Sequence, residues 1–135
     1  MGTLAAIRDE LAEQLNTISG MHASATWPDI INLPAALVKV VSQNYDETFG
    51  GKTGYSFEII FLAAVMDAGY SRGQDALDAY LEATGASSIK AAIETDKTLD
   101  TEADYAVVRG WRDYGGVEVN GQEFWGCVFD VEVAA

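Results

Sequence analysis

The run Gly50-Gly51-Lys52-Thr53 closes as a phosphate-cradling loop closes, with a lysine and a hydroxyl behind two glycines. Such a loop needs another glycine where Asp46 stands, and it must open a helix whose N-terminus receives the phosphates. Here it opens a strand-like run, Gly54 to Ile60, and Asp46 and Glu47 at its head would repel a nucleotide. The reading is a glycine-rich hairpin loop. A second stretch, Asp96 to Asp104, places Asp100, Glu102 and Asp104 at positions 1, 3 and 5 of a calcium-loop register. The sixth position should be glycine for the sharp turn and is Tyr105, and the twelfth should be glutamate and is Trp111. A solvated acidic turn is expected there.

His22 is the sole histidine and Cys127 the sole cysteine, so no paired-histidine mechanism and no zinc cluster of the two types can be assembled. A Cys-His dyad would have to be built across a sheet, with Cys127 on the apolar side of its own strand; a buried, inert thiol is the expectation. There is no Gly-x-Ser-x-Gly and no dinucleotide-binding fingerprint. In a chain with 21 Asp and Glu, carboxylate pairs are too common to single one out. The reading is therefore a protein that is not an enzyme and uses no cofactor or metal. Arg72, Arg109 and Arg112 are candidates for holding carboxylates across a subunit boundary, against the plainer alternative of ordinary surface ion pairs.

At 135 residues, with 49% apolar residues and 2 prolines, the chain is expected to form one domain with a core of its own. Its formal charge of −13 disfavours sequence-independent binding to duplex phosphate. One cysteine allows no internal disulfide. The N-terminus lacks the basic and apolar regions of a secretory signal, Ala6 stands where a myristoylation motif wants Ser or Thr, and the apolar run Ile59 to Met66 is too short to span a bilayer. No membrane association is expected.

These residues must be positioned by a small number of elements. Leu4, Ile7, Leu11, Leu15 and Ile18 form one apolar stripe between charged positions, which predicts a surface helix closed at Ser19-Gly20. Met21 to Trp27 reads as a short strand stopped by Pro28-Asp29, and Ala36 to Gln43 as a second. Tyr55 to Met66 is apolar on both faces at its middle, the pattern of a central, doubly covered strand. A second helix follows, with Ser71 and Gln74 in a capping box and Leu77, Tyr80 and Leu81 as its stripe. A shorter third helix turns Ile89, Ala92 and Ile93 inward. Tyr105 to Tyr114 and Gln122 to Val133 finish the chain as strands about an Asn120-Gly121 turn, with odd positions from Trp125 to Val133 apolar. The order α-β-β-β-α-α-β-β predicts an α+β domain: a mainly antiparallel sheet of about five strands with two to three helices upon it. Trp125 and Phe129 are expected in the core, and Tyr114 and Phe124 on a contact surface.

Taken in order, "TLAAIRDELAEQL", the Pro28-to-Ala36 run (Pro28, Asp29, Ile31, Asn32, Pro34, Ala35, Ala36), "QDALDAYL", "IKAAIETDKTL", "GWRDYG" and "NGQEFWGCVFDVEV" resemble a family of small proteins of tailed bacteriophages and prophages, especially those of actinobacterial hosts. The resemblance runs nearly end to end. Its members are tail terminators and related head–tail joining proteins. It implies a tail-terminator-like α+β fold in a homohexameric ring, located in the virion neck after assembly in the host cytoplasm. The implied ring stops polymerisation of the major tail-tube protein and offers a surface to the head–tail connector. It implies no catalytic residues. The loop 44–54, with Tyr45 and Phe49, is expected to reach a neighbouring subunit. Six copies would carry six times −13, or −78, and part of that charge on the channel wall would keep passing DNA from sticking. Two other readings stay open: a stopper or adaptor of the same neck, and a free acidic binding module that mimics the charge of DNA.

Overall fold

The structure, a computed structural model, describes residues 3–28, 30–45, 53–66 and 70–135, with the backbone alone for 70–73 and 76. Among the described residues eight elements follow one another: α1 (Leu4–Leu15), β1 (His22–Ser24), β2 (Ala35–Asn44), β3 (Gly54–Val65), α2 (Tyr70–Leu81), α3 (Ile89–Glu94), β4 (Tyr105–Val119) and β5 (Gln122–Ala134). The strands form one sheet in the order β1-β2-β3-β5-β4, antiparallel throughout except for the parallel β1-β2 pair. This is an α+β fold. The doubly apolar run lies where its pattern demands, as β3 in the middle of the sheet.

All three helices pack on one face of that sheet. Ile7, Leu11 and Leu15 of α1, Leu77 of α2 and Ile89 and Ile93 of α3 meet Phe57, Ile59 and Phe61 of β3 and Cys127, Phe129, Val131 and Val133 of β5 in a single buried cluster. The α1 stripe is buried because its 3- and 4-residue spacing keeps those side chains on one side of a 3.6-residue helix. Thr3 caps its start, accepting the Ala6 N–H at 3.2 Å. At its end the Asn16 amide brackets Ala23, accepting its N–H at 2.8 Å and donating to its carbonyl at 3.2 Å. Ser88 caps α3 in the same way and donates to the Glu82 carbonyl.

The opposite face divides in two. Near the β4-β5 turn, Ala35, Leu37, Leu62, Val119 and Phe124 form a second, smaller core, lidded by Ile31 and Leu33 from the segment between β1 and β2. Trp27 Nε1 donates to Asn120 Oδ1 at 3.1 Å and ties that segment to the hairpin turn. The rest of this face is polar. Lys39, Glu58, Arg112 and Asp130 link into ion pairs across β2, β3, β5 and β4, with Asp113 joined to Arg112.

Four boundaries differ notably from the sequence reading. Helix α1 ends at Leu15, with Asn16 as its C-cap, short of the expected close at Ser19-Gly20. The strand expected over Met21 to Trp27 is only His22–Ser24, because the chain leaves the sheet there to lid the second core. Helix α2 begins at Tyr70, so the Ser71 backbone lies inside its first turn, past the N-cap position expected for it. β4 continues past Tyr114 to Val119, because two irregularities, at Val108/Gly110 and Arg112/Gly115, let the strand bend and stay paired. Asp113 (φ 59°) and Gly115 (φ 132°) absorb the second.

Glu94 ties α3 to the sheet, accepting hydrogen bonds from the Lys90 ammonium and from the Val108 N–H at 3.0 Å. Burial pushes its carboxyl up, but the Lys90 hydrogen bond, the Val108 N–H and the charges of Lys90 and Lys97 outweigh burial and hold it below the usual carboxylate range. With the folded pKa depressed, the stabilisation is present above the unfolded value (about 4.3) and is lost as pH falls through the folded one. Glu94→Gln is expected to cost about 1–3 kcal/mol at neutral pH. It should also flatten the acid side of a stability profile, measured as urea midpoints against pH.

Candidate functional site

Among the described residues, the sole histidine and the sole cysteine are not brought together. His22 lies on β1 and Cys127 on β5, with β2 and β3 between them, so three strand spacings, about 14 Å, separate the two backbones. Cys127 is fully buried, and burial pushes its thiol up to about 12. Its thiolate fraction at neutral pH is then on the order of 1,000-fold below that of an ordinary thiol. A thiol reagent should therefore modify the native protein only as fast as the chain unfolds; rapid stoichiometric labelling in native buffer would contradict this.

The acidic turn is a built structure. Asp96 accepts from Thr98 N–H (3.0 Å), Thr98 Oγ1 (2.6 Å) and Asp100 N–H (3.0 Å), and these bonds hold its carboxyl below the usual range. They wrap the turn so that Leu99 reaches the core while Leu99, Asp100 and Thr101 all take left-handed backbone angles. Among the described residues, no group of three or more His, Cys, Asp or Glu is placed to hold a metal ion. Of the phosphate-loop-like run, only Thr53 is described; it exchanges backbone hydrogen bonds with Ala135, both at 2.9 Å. No helix among the described residues is long and apolar enough to cross a membrane.

What the fold does expose is an edge. β4 is the outermost strand on its side of the sheet and runs for 15 residues. Tyr105, Trp111 and Tyr114 stand exposed along it, Trp111 by 47%. The Trp111 and Tyr114 rings are tilted against each other with centroids 5.9 Å apart, and they border a cleft of about 300 Å³ completed by Asp78 and Leu81 of α2 and by Glu82 just past its end. Tyr114 Oη donates to Asp78 Oδ1 at 2.7 Å. That hydrogen bond, then burial and the charges of Asp78 and Asp75, push the phenol up to about 12, so it stays a neutral donor. A rigid aromatic pair with a fixed polar tip is the composition of a protein contact surface.

The other candidates fall in several places. Arg109 pairs with Glu132 at 2.9 Å, and Arg112 with Asp130, Asp113 and Glu58, all within the chain. Asp130, through its hydrogen bond, does most to raise the Arg112 guanidinium above its ordinary value. Both arginines thus pair with acids of their own sheet face. Tyr45 is 74% exposed just past β2. Phe124 corrects its expectation: it is 5% exposed, in the second core under Ile31 and Leu33, and offers no contact surface. Phe49, most of the loop 44–54, Asp29 and the side chain of Arg72 lie outside the described residues.

Sequence reasoning passed over Val41 and Tyr105, both exposed on the outer strands, and Trp111 as a contact residue. The signal for Trp111 was Gly110, since a glycine inside a strand marks a bulge. The irregularity there shifts the alternation by one and turns Trp111, opposite Phe129, to the helical side. Compared with known proteins, the sequence matches no family model and no curated protein.

Proposed function

We propose that this chain is a structural subunit of a phage tail, a terminator that forms a ring at the head-proximal end of the tube. The observation that carries the reading is the long open edge of β4 with Tyr105, Trp111 and Tyr114 along it. An uncovered edge strand of this length invites pairing, and soluble proteins normally cover it or blunt it. Its two irregularities limit indiscriminate pairing, and its aromatic rings favour one partner. The end-to-end resemblance of the sequence to head–tail joining proteins supplies the partner: copies of the same chain, then the tube below and the connector above.

In this reading the chain works by shape. Six heterologous contacts with a closing rotation make a ring. The ring's tube-facing side ends polymerisation, and its other side receives the head connector. The net charge of −13 per copy keeps phosphate from adhering to the channel wall. Particles assembled without this chain should carry tubes of uncontrolled length that join no heads. Tubes of normal length that merely fail to join would instead mark a stopper or adaptor, and unchanged particles would overturn a role in the neck altogether.

A further inference from the structure

The sheet has two outer sides, and their open parts are level with each other. β1 covers only Ala35–Leu37 of β2, leaving Val38–Asn44 with no strand beside it in the described chain. Following the register across the sheet, Val38 is in line with Ile59, Phe129 and Trp111, and Asn44 with Gly54, Ala134 and Tyr105. The uncovered part of β2 is thus level with Tyr105–Trp111 of β4, while the rows capped by β1 are level with Arg112–Gly115. The two outer strands also run in opposite directions, since three antiparallel pairings separate them.

We infer that Tyr105–Trp111 of one copy pairs, antiparallel, with Val38–Asn44 of the next, so that the sheet continues from subunit to subunit. This rests on the ring reading above and names the seam within it. A rotation about an axis along the strands brings the two segments together without sliding one past the other, over about 20 Å of strand. Side chains agree with the pairing. Val41 (52% exposed) lies in one segment with Tyr45 just past its end, and Tyr105 and Trp111 are the two ends of the other, so exposed apolar groups on both sides lose water together. Charge agrees as well. The two segments hold Lys39 and Arg109 and no acid, although the chain as a whole carries −13. Each base is already paired with an acid on the neighbouring inner strand, Lys39 with Glu58 at 3.7 Å and Arg109 with Glu132 at 2.9 Å. In this register Lys39 comes level with Gly110, beside Arg109, so no acid faces an acid at the seam, and the two bases that meet are each already neutralised by an acid of their own chain.

The test uses the full chain, at rising concentration and on tail tubes. In the unmodified protein, hydrogen exchange of backbone amides in 38–44 and 105–111 should slow about tenfold or more on assembly. A Ser42→Cys/Val107→Cys variant should form disulfide-linked ladders under oxidation, while each single variant should not. Buried Cys127 stays silent in both. Rings seen by native mass spectrometry with neither protection nor ladders would overturn this seam and leave the ring intact. No association in solution or on tubes would overturn both.

Discussion

Gly126→Val is expected to lower the unfolding midpoint by about 10 °C or more. A Cβ at this position would overlap the backbone carbonyl of Phe61, where β5 runs close to β3 beside the irregularity at Leu62/Ala64. Backbone cannot swing aside as a flexible side chain does, so the central pair of strands must separate locally. The cost is about 3 kcal/mol or more. In a domain of this size that corresponds to about 10 °C or more at the midpoint. Gly121→Ala is the informative control. Its Cβ would meet nothing within 4 Å, and the strain comes only from the left-handed backbone (φ 80°) of the hairpin turn. That costs about 1–2 kcal/mol. Thermal unfolding followed by circular dichroism separates the two; equal shifts would show that the β3-β5 contact is looser than its geometry.

The second large effect concerns assembly. Replacing Trp111 and Tyr114 together with alanine should leave the protomer folded, because both are substantially exposed and neither belongs to the two buried clusters. It should weaken the contact between copies on the order of 100-fold, since the paired rings stand at the end of the seam and the variant loses two aromatic anchors of the β4 edge at once. Tyr114→Phe keeps the ring and loses only the bond to Asp78, so its effect should be several-fold at most. Sedimentation of the purified variants, and their retention on tail tubes, gives both readouts. If the double variant assembles as the parent does, the β4 edge is not the contact.

Local patterning explains which features were legible in the sequence. The α1 stripe, the doubly apolar β3 and the odd-numbered apolar face of β5 each declare themselves within a dozen residues, and each is buried as its period requires. Phe124 was misplaced because its cover comes from far along the chain. Trp27 reaches Asn120 across 93 positions, and Ile31 and Leu33 close over Phe124, a contact that no local period encodes. Trp111 was hidden by the shifted alternation at Gly110. The open edges were invisible for a different reason: which strand ends outermost depends on sheet order, and the hairpin pattern alone does not say whether β4 or β5 joins β3. That the phosphate-loop and calcium-loop patterns are incomplete is read directly from the sequence, because each lacks a required glycine.

The most direct measurement is electron cryo-microscopy of the neck of intact particles that carry this chain. The account predicts a closed ring of its copies on the last tube layer, with the β4 edge of each copy against its neighbour and acidic side chains facing the channel. A neck without this chain, or copies held apart with Trp111 and Tyr114 facing solvent, would contradict it.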